Sequence, residues 1–232
     1  MSVGNRVFLK RELPDLNLVE QFKSIQAANV ADCMERLSAL SSEIKLMSKP
    51  KEKVMAGVAL TVKARPGDNL LLHKALNIAG EGDIIIVSNE GDRTQALLGE
   101  IMATYAAHTK KIAGLVLDGP IRDIDVISQM DLPIYATGTT PGGPFKEGPG
   151  EVNVPIACGG IHVSPGDIIL GDADGVVVIP RNDAATILEA AKVLSANDQK
   201  KVQAATDGTA KRGWVDEKLK QKNCGIIDDV YN

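Results

Sequence analysis

Aromatic side chains are nearly missing from this chain: one Trp, three Tyr and three Phe among 232 residues. Sites for single-stranded nucleic acid lean on aromatic stacking platforms, so that class of partner is not favoured. The core has to be built from Val, Ile, Leu and Ala. Cysteine is also scarce. Cys33, Cys158 and Cys224 are far apart and form no C-x-x-C pair. That pattern offers no zinc site and fits a reducing compartment. No apolar run approaches the length of a membrane span, and the start of the chain, Met1 to Phe8, has no apolar signal core. The expected address is the cytoplasm. Extended basic runs are missing too. The net charge is −4, and the densest positive stretch, Lys218 to Lys222, reads as a solvated face, so a phosphate-backbone partner is not favoured. Finally, no G-x-G-x-x-G follows the first strand, no loop ends in the Lys-Ser/Thr of a phosphate cradle, and no G-x-S-x-G is present. Dinucleotide, S-adenosylmethionine and Ser-His-Asp chemistries therefore lack support. His73, His108 and His162 are scattered along the chain.

What is present is an ordinary globular composition, with 44% hydrophobic and 24% charged residues, in a chain of 232 residues that is long enough for one substantial core or two small ones. Residues 18 to 49 read as helices from their apolar spacing. Val58 to Ala64 reads as a strand, Leu70 to Ile78 as a helix, and Ile84 to Val87 as a strand buried on both faces. Thr94 to Lys110 has helical period. Strand 112–117, a short helix near Val126 to Met130 and a strand Leu132 to Ala136 follow. This alternation predicts an α/β fold with a parallel or mixed sheet. Thr139 to Gly150 is a Gly, Pro and Thr loop. Beyond it, Val152 to Ile156, Ile161 to Val163, Asp167 to Gly171 and Gly175 to Pro180 read as short antiparallel strands. Asn182 to Ala205 is a long helix, and Trp214 begins a last one. The expectation is a single domain over 1–232, with a core of about 25–195 and a peripheral helical extension of about 196–232.

Three stretches can carry chemistry. The strand Ile112 to Leu117 runs into Asp118-Gly119-Pro120-Ile121-Arg122-Asp123. Ligands of open α/β sheets bind at strand C-termini, where loops converge and helix N-termini point their amides. A carboxylate there can hold a hard divalent cation, and a neighbouring Arg can stabilise an oxyanion. On the residues alone, capping the helix that begins near Ile124 is the commoner role for such an Asp, with Arg122 merely exposed. The second stretch is Gly99-Glu100-Ile101-Met102, where a glycine would let a ligand approach backbone amides, or would simply let a helix pack closely. The third is Gly142-Gly143-Pro144 with Gly148-Pro149-Gly150, which reads as a structural crossing.

Taken together, Gly99-Glu100-Ile101-Met102-Ala103, the strand Gly114 to Leu117 with its Asp118 to Asp123 extension, Val152 to Gly160, and Pro165 to Pro180 resemble the RraA-like family. Within it the chain is most similar to the class II pyruvate aldolases that act on 4-hydroxy-4-methyl-2-oxoglutarate and 4-carboxy-4-hydroxy-2-oxoadipate. The resemblance spans roughly residues 25 to 220. It implies a swivelling β/β/α fold, a homotrimer or a hexamer of two trimers, and active sites between subunits. It implies magnesium or manganese held by Asp123, Arg122 facing the C2 oxygen of a pyruvyl group, and the amides of Gly99, Glu100, Ile101 and Met102 holding the substrate carboxylate. Glu100 and, from a neighbouring subunit's C-terminal helix, Asp198 would hold a catalytic water. The reaction implied is cleavage of a 4-hydroxy-2-oxo acid to pyruvate and a second oxo acid, with oxaloacetate decarboxylation through the same enolate. RraA itself, a regulator of a ribonuclease, shares the fold and lacks the Asp of the Arg-Asp pair. A non-catalytic regulator is thus the alternative expectation.

Overall fold

A computed structural model describes residues 2–230. It divides into a compact unit over residues 1–194 and a second unit over residues 195–232. The first unit is a mixed α/β structure around one nine-stranded sheet. Its centre is parallel: β3 (Met55–Ala64), β4 (Asp83–Ser88), β5 (Gly114–Leu117) and β6 (Ile134–Ala136) lie side by side. The apolar runs of these strands explain why. Ile85 and Val87 enter one core cluster with Leu115 and Leu117, while Ile84 and Ile86 enter another with Val116 and Tyr135. Residues alternate between faces along a strand, so a continuous apolar run satisfies both faces at once.

β3 is the branching strand. Its last residues pair with β7 (Gly150–Val152) and its first with β10 (Ile168–Asp172), both antiparallel, on the side away from β4. β10 makes a hairpin with β11 (Gly175–Ile179), β8 (Ile156–Cys158) one with β9 (Ile161–Val163), and β1 (Asn5–Val7) pairs with β7. The C-terminal strands thus do not form a separate antiparallel unit; most are grafted onto the first half of the sheet through β3. Three helices cover the face that carries the site: α3 (Leu70–Ile78), α4 (Glu100–Thr104), which continues as a π-helix to Lys110, and α5 (Ile124–Ile127). Helices α1 (Leu16–Phe22), α2 (Ala27–Cys33) and the start of α6 (Ala184–Thr206) pack on the β10–β11 side.

Four local expectations are corrected. Residues 34–49 are not helical. Glu35 and Arg36 take left-handed φ of 54° and 64°, and Lys45–Leu46 forms β2, paired with Ala136 and Tyr135. The helix expected from Thr94 begins only at Glu100. Before it, the Ala96 amide donates to the Gly142 carbonyl and the Leu97 amide to the Pro120 carbonyl, so tertiary hydrogen bonds override helical period. The strand expected at 152–156 is split in two, since Asn153 has a φ of 56° and Pro155 cannot donate to a ladder. The short helix begins at Ile124 as expected but ends at Ile127, short of Met130.

In the second unit, the rest of α6 is followed by α7 (Trp214–Gln221), which buries none of its residues. No helix among the described residues is long and apolar enough to cross a membrane.

The turn after β5 is pinned by Ile121. Its side chain is fully buried, and its backbone bridges both Leu98 and Thr139. Ile121→Ala is expected to destabilise the fold by about 2–5 kcal/mol, because little can collapse into the space. Urea unfolding of the purified variant measures it, and a loss below about 1 kcal/mol would deny the turn this anchor.

Candidate active site

The chain leaves β5 through Asp118, whose amide still bonds the Val87 carbonyl, and then turns at Gly119. A Cβ on Gly119 would lie 2.6 Å from the side-chain Nδ2 of Asn89, so a larger residue would have to displace a side chain that bonds the Asp92 carbonyl. Three backbone bonds then direct the chain to the pocket. Leu97 donates to Pro120, Ile121 donates to Gly138, and Arg122 donates to Leu98 at 2.9 Å. Residues 97–99 and 120–122 therefore run alongside each other, and the two sequence stretches that looked separate are adjacent.

Asp123 has φ 61° and ψ 41°, the left-handed region. For a non-glycine residue that costs about 1 kcal/mol or more. Asp123 stands at the N-cap position of α5 but makes no capping bond to it. Its Oδ2 instead accepts the Glu100 amide at 3.0 Å. The capping expectation is thus redirected: the carboxylate serves the first turn of α4, not that of α5. The left-handed backbone is what turns the side chain that way. Arg122 Nε lies 3.7 Å from the same oxygen, and both side chains are partly exposed.

Gly99 makes this contact possible. Its backbone is extended, at φ −137° and ψ −176°, so conformation does not demand glycine. Space does. A Cβ there would lie 2.5 Å from Asp123 Oδ2 and 3.0 Å from Arg122 Nε. The amides of Ile101 and Met102, in the first turn of α4, donate to no acceptor among the described residues. They are free to bind an anion.

Gly99, Ile101, Met102, Arg122 and Asp123 line one pocket of about 150 Å³. Glu100 lies between them in sequence with an exposed side chain. Asp198 belongs to the second unit, on α6, where Lys201 donates to its Oδ1 at 2.8 Å. The other wall was not legible in the sequence. It carries Asn69, His73, Pro144 and Lys146. Asn69 donates to the Leu97 carbonyl at 2.9 Å, while its own Oδ1 is buried with no partner. Burial holds the His73 imidazole below its ordinary value and Lys146 lowers it further, so the ring is neutral at pH 7. The glycine loop is a wall of the site and not only a crossing: a Cβ on Gly143 would lie 3.1 Å from Arg122 Nη1. The only local hint of this wall was the pair Asp68-Asn69 ahead of a helix, a capping signal.

Among the described residues, no group of three or more His, Cys, Asp or Glu side chains could hold a metal ion. Asp123 offers one carboxylate, and no described group donates to its Oδ1. That donor set does not suit zinc, which takes three or four protein ligands. It fits a magnesium-like ion that keeps most of its waters. The Cys158 thiol is not a candidate, since it is buried and its pKa is pushed up by that burial.

A family model described as RraA-like, Aldolase/RraA, matches residues 27–178. Over 206 residues the chain is 38% identical to a Halalkalibacterium halodurans protein named "Putative 4-hydroxy-4-methyl-2-oxoglutarate aldolase", covering 88% of this chain and 97% of that one. Among solved structures it is similar to Streptomyces coelicolor RraAS2, described as an unusual member of the RNase ES inhibitor RraA protein family. The TM-score is 0.71 at 28% identity, over 85% of this chain and 99% of the other. The RNA-processing inhibitor RraA of Thermus thermophilis aligns with a TM-score of 0.60 at 32% identity, over 67% and 92% of the two chains.

Gly99→Ala forces the Asp123 carboxylate or the Glu100 amide to move. The expected result is a Glu100 amide that exchanges with solvent about 10-fold faster or more, since it loses its charge-assisted acceptor. Hydrogen exchange by NMR reads this directly, and unchanged protection would mean that the close approach is not needed.

Proposed function

The chain belongs to the RraA-like family, and on that premise we propose that it is a divalent-metal-dependent lyase. It cleaves a 4-hydroxy-2-oxo acid such as 4-hydroxy-4-methyl-2-oxoglutarate to pyruvate and a second oxo acid, and it decarboxylates oxaloacetate. One observation carries the reading: Arg122, Asp123 and the open amides of the α4 first turn share a single small pocket, drawn together across Gly99. The name carried by the Halalkalibacterium relative supports the same reaction class.

The chemistry follows from charge. Cleaving the C3–C4 bond turns the C4 hydroxyl into a carbonyl, releases its proton to a base, and leaves the bonding electrons as a pyruvate enolate. Negative charge develops on the C2 oxygen, so catalysis needs fixed positive groups there. Arg122 supplies one, as a permanently charged planar donor. The amides of Ile101 and Met102 hold the C1 carboxylate, which orients C2 toward Arg122. Asp123 would hold the metal through its open oxygen, and that ion would supply Lewis acidity at the same end of the substrate. Glu100 lies beside these amides and is the chain's own candidate to hold the water that carries the proton. Asp198, contributed by a neighbouring copy, would be its partner. Proton return to C3 completes pyruvate. Loss of carbon dioxide from oxaloacetate yields the same enolate.

A homotrimer or hexamer with sites at the boundaries between copies belongs to this proposal. It is supported by Ile101, Tyr105 and Val126, large apolar side chains left exposed on α4, its continuation and α5. The second reading, a non-catalytic binder of a ribonuclease, is supported by the likeness to the Streptomyces and Thermus inhibitors. An oxaloacetate decarboxylation assay with and without a chelator separates the two. Turnover that vanishes with chelator and returns with magnesium supports the lyase, and none under any condition favours the binder.

With magnesium present, Asp123→Ala should lower turnover to background, and a variant with wild-type kcat would unseat the assigned metal ligand. Arg122→Lys should cost about 10²–10³ in kcat, since an ammonium cannot reproduce the planar fork. Steady-state kinetics that match the wild type would remove Arg122 from the oxyanion role.

A further inference from the structure

Asp68 is a buried carboxylate with no part in the chemistry above. It is 1% exposed. Its Oδ1 accepts the Leu70 amide at 2.9 Å, and its Oδ2 accepts the amides of Glu147 at 2.7 Å and Gly148 at 2.8 Å. Three N–H donors satisfy the charge without a cation. The groups they come from matter more. Leu70 opens α3, and Glu147 and Gly148 close the glycine loop, so one side chain ties together two segments 79 and 80 residues apart in sequence.

Those two segments are the wall of the pocket not made by α4 and the Arg122 turn. Asn69 and His73 stand on the first, Pro144 and Lys146 on the second. Backbone bonds extend the joint: Phe145 donates to Gly67 at 2.8 Å, and Asn69 donates to Phe145 at 3.0 Å. The far end of the loop is fixed separately, where Ala96 donates to Gly142 at 2.8 Å. Gly143 and Pro144 are held between these anchors, and a Cβ on Gly143 would meet the Arg122 guanidinium.

We propose that Asp68 is a positioning residue that fixes this wall, and thereby sets how the pocket receives the part of the substrate that leaves as the second oxo acid. The inference rests on the lyase reading. With the pyruvyl end taken by the amides and Arg122, the rest of the substrate meets the wall that Asp68 assembles. Lys146 gives that wall a positive charge, which suits an anionic leaving fragment.

The test compares two reactions of one protein with magnesium. Pyruvate methyl-proton exchange uses the pyruvyl end alone, while cleavage of 4-hydroxy-4-methyl-2-oxoglutarate uses the whole substrate. Asp68→Asn keeps the side chain's shape but sets an NH2 group against backbone donors. Cleavage is expected to fall at least about 10-fold more than exchange, mostly through KM. The Glu147 and Gly148 amides should lose protection from hydrogen exchange. Lys146→Ala, at an exposed position, should raise the cleavage KM as well, and adding Asp68→Asn to it should raise KM little further. Equal losses in both reactions, or none, overturn the inference and leave the lyase reading standing. If Asp68→Asn does not fold, an unchanged cleavage KM in Lys146→Ala overturns it alone. A wild-type protein that performs neither reaction removes the lyase reading and this inference with it.

Discussion

A single hydrogen bond, from the Glu100 amide to Asp123 Oδ2, organises the site. It crosses between two loops that leave neighbouring strands, and it exists only because Gly99 has no side chain to occupy the gap. The bond does two things. It neutralises one of the open donors at the start of α4, and it fixes the carboxylate so that its other oxygen is available. The remaining amides of that turn, and the Arg122 guanidinium, are then set around one small space. A left-handed backbone at Asp123 is the conformational cost of that arrangement.

The rest of the fold serves to make those two loops neighbours. β4 and β5 are adjacent and parallel, so the chain leaving each emerges at the same edge. Apolar residues on both faces of these strands bury all but Asp83 at the start of β4, which fixes register and therefore the starting point of each loop. From there backbone bonds take over: Leu97 to Pro120, Arg122 to Leu98, Ile121 to Gly138. The glycine loop completes the enclosure from the other side, tied at Gly142 to Ala96 and at Glu147 and Gly148 to Asp68. Charge is distributed to match. Arg122 and Lys146 are the formal positive charges on the lining, His73 is kept neutral, and Asp123 is the one carboxylate there. Such a surface favours a small anion while leaving one hard oxygen donor exposed.

Local patterns carried much of this. The strand Ile84 to Val87, the helix Leu70 to Ile78 and the turn Asp118 to Asp123 were legible because each is decided by residues within one window, and the strand expected over 112–117 is present from Gly114. The adjacency of Arg122 and Asp123, and the presence of glycine at 99, were visible as well. Other features were not. Residues 94–99 have helical period yet form bends and an isolated bridge, since the Ala96 and Leu97 amides find partners at Gly142 and Pro120. Asn69, His73 and Lys146 carry no local mark of a pocket. They meet because Asp68 joins segments far apart in the chain, and no periodicity records such a contact.

The sequence by itself determined which stretches are strands buried on both faces, which turns need glycine, and that an arginine and an aspartate stand together at the end of a strand. These follow from side-chain volume, backbone freedom and spacing, all of them short-range properties. Only the tertiary structure decided that Asp123 would bond to Glu100 instead of capping its own helix, and that the glycine loop would become a wall of the pocket. Both depend on where β-strand register and long-range backbone hydrogen bonds carry the loops. Those are cooperative outcomes of the packed sheet, not of any single segment.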